Sequence, residues 1–207
     1  VMVLRSLSIV NFKNIPEAGL EFSPKINGFL GRNGMGKSNM LDAIYYLSFC
    51  KSFNGVTDAM VIRRGENFAM LKGVYDRRGA SEEITAGLMT GRRKSFKRKG
   101  KEYQRLSEHI GAFPLVIVSP RDSDLITGAS DERRRLMDQV ISQSDRLYLD
   151  HLIRYTRSLE QRNRLLRERI VDHTLYEAVE TAMAISAAYI TEARDRWTEK
   201  LLSLIHI

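Results

Sequence analysis

The sequence has little of what stabilises secreted or membrane-spanning proteins. Its 207 residues include one cysteine, Cys50, together with four prolines and one tryptophan. A single cysteine excludes an internal disulfide, and we expect Cys50 to be a buried, inert thiol of a cytoplasmic protein. No apolar run approaches the roughly 20 residues of a membrane span, and no signal peptide is recognisable. The length allows one core, or one core and a small second lobe, in a soluble protein without membrane contact.

Positive charge is in excess. The chain has 33 basic and 25 acidic residues, for a formal net charge of +8. Such a balance favours a polyanionic partner such as nucleic acid. Between residues 92 and 101 the cations cluster around a predicted turn, which indicates either a hairpin that contacts phosphates or a solvated face. The candidate DNA-binding residues are Arg92, Arg93, Lys94, Lys97, Arg98, Lys99 and Lys101.

The motif G-x-x-x-x-G-K-[ST] occurs once, at residues 31–38. An apolar stretch at residues 28–30 predicts a strand before it, and helical spacing at residues 39–50 predicts a helix after it. In this context the loop N–H groups and the helix start bind phosphate, the lysine reaches the β- and γ-phosphates and the serine ligates Mg²⁺. The alternative is a glycine-rich turn with a solvated lysine. The predicted phosphate-binding residues are Gly31, Arg32, Asn33, Gly34, Met35, Gly36, Lys37 and Ser38.

The remaining pattern predicts a β-rich lobe followed by helices. Strands are predicted at residues 2–10, 20–22 and 115–118. One β-hairpin is predicted from strands at residues 68–76 and 82–90, and another at residues 93–104. Beyond residue 128 we expect helices from Ser130, from about Ser144 to Ile170, and from a capping box at Thr174. The second helix carries a coiled-coil-like stripe. Its members are Leu149, Leu152, Thr156, Leu159, Asn163, Leu166 and Ile170.

These elements predict domains at residues 1–129 and 130–207. Val1 precedes Met2, and the chain ends in an apolar run without a stop signal. We therefore expect a chain truncated within the helical region. The four histidines show no spacing typical of metal ligands.

A polar segment after the strand at 115–118 allows two interpretations. Asp122 could be the carboxylate of a Walker B element, which binds Mg²⁺ at a strand end. Ser119 and Pro120 intervene, however, and they are typical of a helix start, where Asp122 would cap the backbone. The position of Asp122 after Ser119 and Pro120 therefore favours capping over a Walker B role.

The same segment resembles a RecF-family motif: P-[ED]-x3-two aliphatics-x-G-[GSA]-P-x2-R-R-x-[FY]-aliphatic-D. The departures are Arg121, Ser130 and Leu136. Residues 7–15, 31–47 and 51–53 also resemble family elements, in family order. The matching positions are Pro120, Leu125, Ile126, Gly128, Ala129, Arg133, Arg134, Met137 and Asp138.

The resemblance implies an α/β fold with a mixed sheet, the P-loop lobe of an ABC/SMC-like ATPase, followed by an α-helical hairpin. It implies ATP and Mg²⁺ as ligands, with Lys13 and Asn14 near the nucleotide. It also implies ATP-dependent homodimerisation on double-stranded and gapped or single-stranded DNA, and loading of RecA with RecO and RecR during DNA repair, replication and the SOS response.

The family's signature and Walker B sequences are not recognisable in residues 1–207, so we expect no catalytic residues here, and weak, switch-like ATPase activity only in a longer protein. A P-loop small-molecule kinase and a non-enzymatic DNA-binding or coiled-coil module with a vestigial P-loop remain alternatives.

Overall fold

The computed structural model describes residues 2–205, including all side chains in that range except those of Arg121, Asp124 and Ile205. The chain divides into two compact units, Val1–Ile117 and Val118–Ile207, each with its own apolar core. The division lies ahead of the boundary predicted at residue 129. None of the helices in the described range combines the length and apolar character needed to cross a bilayer.

A six-stranded sheet forms the framework of the first unit. Its strands are β1 (Met2–Phe12), β2 (Ile15–Glu21), β3 (Phe68–Arg77), β4 (Ala80–Met89), β5 (Ser95–Arg98) and β6 (Lys101–Glu102). They lie in the order β2-β1-β3-β4-β5-β6, and all the neighbours described pair antiparallel. The predicted α/β class is confirmed, although the sheet described is antiparallel where a mixed sheet was expected.

Helix α1 (Lys37–Phe49) packs on this sheet, as the spacing predicted. Its side chains at Tyr46 and Leu47 are fully buried in the core that it shares with the strands. Gly73 of β3 allows the close approach, because a Cβ atom there would lie 2.9 Å from Cδ1 of Leu47. A short helix, α2 (Asp58–Val61), follows α1.

Both predicted hairpins are confirmed, and their turns have the expected chemistry. Arg78 and Gly79 join β3 to β4 with φ of 55° and 83°, and Lys99 and Gly100 join β5 to β6 with φ of 50° and 78°. Two successive residues with positive φ match the right-handed twist of the strands that they connect. These turns were predictable because their conformational requirements are local.

Two predicted strands are wrong. Residues 28–30 and 115–118 are irregular, and neither segment belongs to the described sheet. Leu30 is 97% exposed and Val118 is 80% exposed, where burial was expected. A short apolar run forms a strand only when neighbouring strands complete its hydrogen bonds. No strand in residues 2–205 pairs with either run, which also explains why the sheet has no parallel strand.

The second unit is helical. A 3₁₀ turn at Pro120–Ser123 leads into the short helix α3 (Asp124–Thr127) and then to three longer helices. These are α4 (Ser130–Ser144), α5 (Arg146–Arg167) and α6 (His173–Ile205). The predicted start at Ser130 is confirmed. Helix α6 begins ahead of the predicted capping box, because the Asp172 side chain accepts a hydrogen bond from the Leu175 N–H at 3.0 Å.

The apolar stripe predicted along α5 is only partly correct. Tyr148 and Leu165 are buried, whereas Leu166, which the stripe included, is half exposed. A straight helix drifts relative to a seven-residue repeat, so its buried side moves to the neighbouring residue over several turns. Ile141 of α4, Tyr148 of α5 and Ile190 of α6 form the core of this unit.

Candidate nucleotide-binding site

The glycine loop lies directly before α1 and has the backbone that its sequence predicts. Gly34 and Gly36 have φ of 81° and 93°, a region that side chains disfavour. A Cβ atom on Gly36 would also lie 2.9 Å from Oδ1 of Asn14. The loop therefore requires glycine at residue 36 for both conformation and space.

Lys37 is the first residue of α1, and its side chain extends back across the preceding glycine loop. Its Nζ donates hydrogen bonds to the carbonyl oxygens of Gly31 at 2.5 Å and Arg32 at 2.8 Å. An ammonium has three donors and can exchange such carbonyls for phosphate oxygens. Ser38 is exposed in the first helical turn and makes no side-chain hydrogen bond within residues 2–205. Its hydroxyl is thus available to a ligand beside Lys37.

The two-residue turn between β1 and β2 supports the loop from one side. Asn14 donates from Nδ2 to the Gly34 carbonyl at 3.0 Å and accepts at Oδ1 from Asn39 of α1 at 2.7 Å. One side chain therefore links the strand turn, the glycine loop and the helix. The expectation that Asn14 approaches a nucleotide stays a prediction, since its amide is occupied here by the loop itself.

The other turn residue, Lys13, contacts a buried carboxylate. Its Nζ lies 2.5 Å from Oδ2 of Asp42, whose side chain is only 2% exposed. Asp42 also accepts hydrogen bonds from the Ser52 hydroxyl at 2.8 Å and the Phe53 N–H at 2.6 Å. The predicted approach of Lys13 to a nucleotide likewise stays a prediction, because its ammonium is bound to Asp42 in this structure.

Sequence reasoning missed Asp42 and Asn39. Both lie on α1, where the apolar pattern predicts a helix but does not indicate which polar side chains are buried or bound. The segment at residues 51–53 is indicated by the family resemblance alone, and the structure explains two of its residues. Ser52 and Phe53 both donate hydrogen bonds to Asp42, which hold the segment after α1 against that helix.

Asp122 caps the turn that contains it. Its carboxylate accepts from the Ser119 N–H at 2.9 Å and from the Ser119 hydroxyl at 3.2 Å. This favours capping over a Walker B role. The side chain of Asp124 is not among those that the structure describes. Within the described range no group of three or more His, Cys, Asp or Glu side chains could hold a metal ion.

The basic hairpin contains cations of two kinds. Arg98 donates from Nε and Nη2 to the buried Glu82 at 2.9 and 2.5 Å. Partial burial lowers the pKa of the Arg98 guanidinium, but the Glu82 carboxylate outweighs this effect and raises the pKa above its ordinary value. Lys94 binds the Cys50 carbonyl at 2.6 Å and Asp58 at 2.9 Å. Both cations therefore hold the fold together.

The other five cations of the hairpin lie at the surface. Arg93 donates weakly to the Gln104 carbonyl, and Lys99 lies 4.0 Å from Glu82. The exposed cations of the hairpin with neither an ion pair nor a side-chain hydrogen bond to any described residue are Arg92, Lys97 and Lys101. Only these three are fully available to an anion from outside.

Cys50 is buried, and burial raises the pKa of its thiol to about 12. The Lys94 ammonium, which lowers that pKa, does not offset the desolvation. The thiol is thus protonated at neutral pH and is a poor nucleophile. The burial predicted for Cys50 is thus confirmed.

The motif at the start of the helical unit also has a structural explanation. The Asp138 carboxylate accepts hydrogen bonds from the Tyr148 hydroxyl and from Nη2 of Arg194, the latter at 2.7 Å. These bonds join α4, α5 and α6. Burial and the bond to Asp138 raise the pKa of Tyr148. Arg134 forms an ion pair with Asp131, and Arg133 donates to two carbonyls. Arg134 and Arg133 are thus bound locally, the first to a carboxylate and the second to the backbone.

Comparison with known proteins identifies one family. Residues 3–110 match the family model described as the RecF/RecN/SMC N terminal domain. The DNA replication and repair protein RecF of Parabacteroides distasonis is 48% identical over 198 residues, which cover 96% of this chain and 54% of that protein. RecF of Porphyromonas gingivalis W83 is 48% identical over 206 residues, or 99% of this chain and 57% of that protein. The chain thus spans about half the length of these curated relatives.

Solved structures show the same fold. A structure of the recombination mediator protein RecF with ATP, from the RecFOR pathway, superposes with a TM-score of 0.88 at 31% identity. The match covers 97% of this chain and 55% of that one. An SMC ATPase studied for ATP-driven dimerisation gives a TM-score of 0.54 at 19% identity, covering 67% of this chain and 99% of that one, and shows the fold alone.

Proposed function

Because the chain belongs to the RecF/RecN/SMC N-terminal domain family, we propose that it is the ATP-binding part of a RecF-like DNA replication and repair protein. The observation that carries the proposal is the position of Lys37 Nζ, held at the glycine loop by two loop carbonyls. A RecF relative has been solved with ATP. A phosphate chain at this loop would meet backbone N–H groups, the start of α1 and one ammonium.

The residues also fit Mg²⁺. Ser38 supplies a hydroxyl in the first turn of α1, next to the position that the phosphates would occupy. Mg²⁺ keeps several waters and is commonly bound by few protein ligands together with substrate phosphates. Ser38 would therefore be the ligand from this chain, and Mg²⁺ would neutralise phosphate charge. Asn14 and Asp42 would act indirectly, by holding the loop and α1 in place.

The wider activity follows from the family and the charge. ATP would act as a switch that favours homodimerisation and DNA binding, with slow hydrolysis in a protein of its relatives' full length. That protein would bind double-stranded and gapped DNA and, with RecO and RecR, help to load RecA in the cytoplasm. Residues 1–129 would serve as the ATPase lobe and residues 130–207 as the helical arm.

Replacing Lys37 tests the proposal. A charge-assisted hydrogen bond is worth roughly 1.5–3 kcal/mol, so Lys37→Ala should weaken ATP binding by about 10- to 150-fold in calorimetry. Lys72→Ala removes the same charge from an exposed pair with Glu83 and serves as the control. Circular dichroism verifies that both variants fold.

Equal ATP affinity in Lys37→Ala and wild type would contradict the proposal. No ATP binding by wild type would instead favour the vestigial P-loop. Phosphorylation of a small-molecule acceptor would favour the kinase, but no described feature of the helical unit points to it.

A further inference from the structure

Helix α5 carries charge predominantly of one sign. Its 22 residues include six arginines and two acidic residues. Four of the arginines lie at intervals of three, seven and three residues, which places them on one side of a helix with 3.6 residues per turn. We call this side the arginine face. It comprises Arg154, Arg157, Glu160, Gln161, Arg164 and Arg167.

The arginines of this face are exposed and form no ion pair with any residue of the described chain. Glu160 is the one acidic residue among them. Two other arginines of the helical unit form ion pairs. Arg162 of the same helix pairs with Glu180 at 2.8 Å, and Arg196 of α6 pairs with Glu192 at 2.9 Å. The arginine face therefore gathers on one side of α5 four cations that form no ion pair within the described chain.

The shape and composition of the face fit duplex DNA. From Arg154 to Arg167 it extends about 20 Å at 1.5 Å per residue. Duplex DNA carries about a dozen phosphates over that length. None of the six residues is aromatic, so the face offers no stacking platform of the kind that binds single strands. None is apolar either, which disfavours a membrane surface.

We infer that the arginine face of α5 binds the phosphate backbone of duplex DNA. The inference rests on the DNA binding in the proposed function and adds its location: the helical unit rather than the basic hairpin alone. Contacts to phosphates carry no sequence information. Binding through this face is therefore independent of base sequence and strongly dependent on salt.

The test compares two double variants in a protein of its relatives' full length, with ATP and Mg²⁺ present. Arg157→Gln with Arg164→Gln removes two unpaired cations. Arg162→Gln with Arg196→Gln removes two paired ones and matches the first variant in charge. Glutamine retains helix propensity, and thermal unfolding verifies that both variants fold. Fluorescence anisotropy measures binding to a duplex, and to a single strand of the same sequence, between 50 and 300 mM salt.

The first variant should bind duplex about tenfold or more weakly at 0.1 M salt, with a salt slope smaller by about 1.8 for two lost contacts. The control should stay close to wild type. An unchanged first variant, equal losses in both variants, or a loss confined to single strands would each overturn the inference and leave DNA binding itself intact. Failure of wild type to bind duplex would overturn the DNA part of the proposed function as well.

Discussion

Replacing Asp42 by asparagine should destabilise the first unit more than any surface change of equal charge. The carboxylate is 2% exposed and receives Lys13 Nζ at 2.5 Å, the Ser52 hydroxyl at 2.8 Å and the Phe53 N–H at 2.6 Å. Asparagine keeps the shape but removes the charge. Its amide must also place an N–H₂ group toward one of these three donors.

The magnitude follows from burial. Removing one partner of a buried ion pair costs about 3–5 kcal/mol, because the remaining charge loses its partner without regaining water. The Lys13 side chain is 13% exposed and regains some water, so we expect about 3 kcal/mol. For a unit of this size that corresponds to a fall in Tm of about 12 °C.

Differential scanning calorimetry of the chain measures this change, with each unit's transition followed separately. Glu66→Gln is the matched control, because its pair with Arg63 is longer, at 3.7 Å, and both side chains are well exposed. Exposed pairs contribute about 0–1 kcal/mol, so the control should unfold within a few degrees of wild type. If Asp42→Asn also unfolds within 2 °C of wild type, the buried pair does not stabilise the unit as argued.

Two further predictions concern the same unit. Burial lowers the pKa of His109, and the Arg98 charge lowers it further, while the bond to the Leu47 carbonyl opposes the shift. The folded unit should therefore lose stability as pH falls below about 6.5, by at most about 1.4 kcal/mol per pH unit. His109→Gln should remove this dependence when urea unfolding is measured at pH 5.5 and 7.5. An unchanged pH dependence in that variant would show that other groups cause it. Arg98→Ala should lower the free energy of unfolding by about 2 kcal/mol, because the buried Glu82 then lacks its closest partner. Lys97→Ala should leave stability unchanged and reduce the salt slope of duplex binding by about 0.9. The opposite pattern would reverse the roles that the structure gives these two cations.

Features that depend on adjacent residues follow from this sequence, whereas features that depend on distant residues do not. The glycine loop, the start of α1 after Gly36 and both hairpin turns were predictable, because each depends on the conformations open to a few adjacent residues. Capping by Asp122 was predictable for the same reason, since a side chain at a helix start finds its partner within three residues.

Burial and pairing between distant residues were decided only by the tertiary structure. The apolar runs at residues 28–30 and 115–118 predicted strands, but a strand needs neighbours that no local pattern supplies. In the basic hairpin, adjacent cations look alike in sequence, yet Arg98 is bound by Glu82 and Lys97 is exposed. Asp42 became part of the site through contacts with residues 13, 52 and 53. Strand pairs, ion pairs and buried carboxylates depend on which chain segments meet, and that is a property of the whole fold.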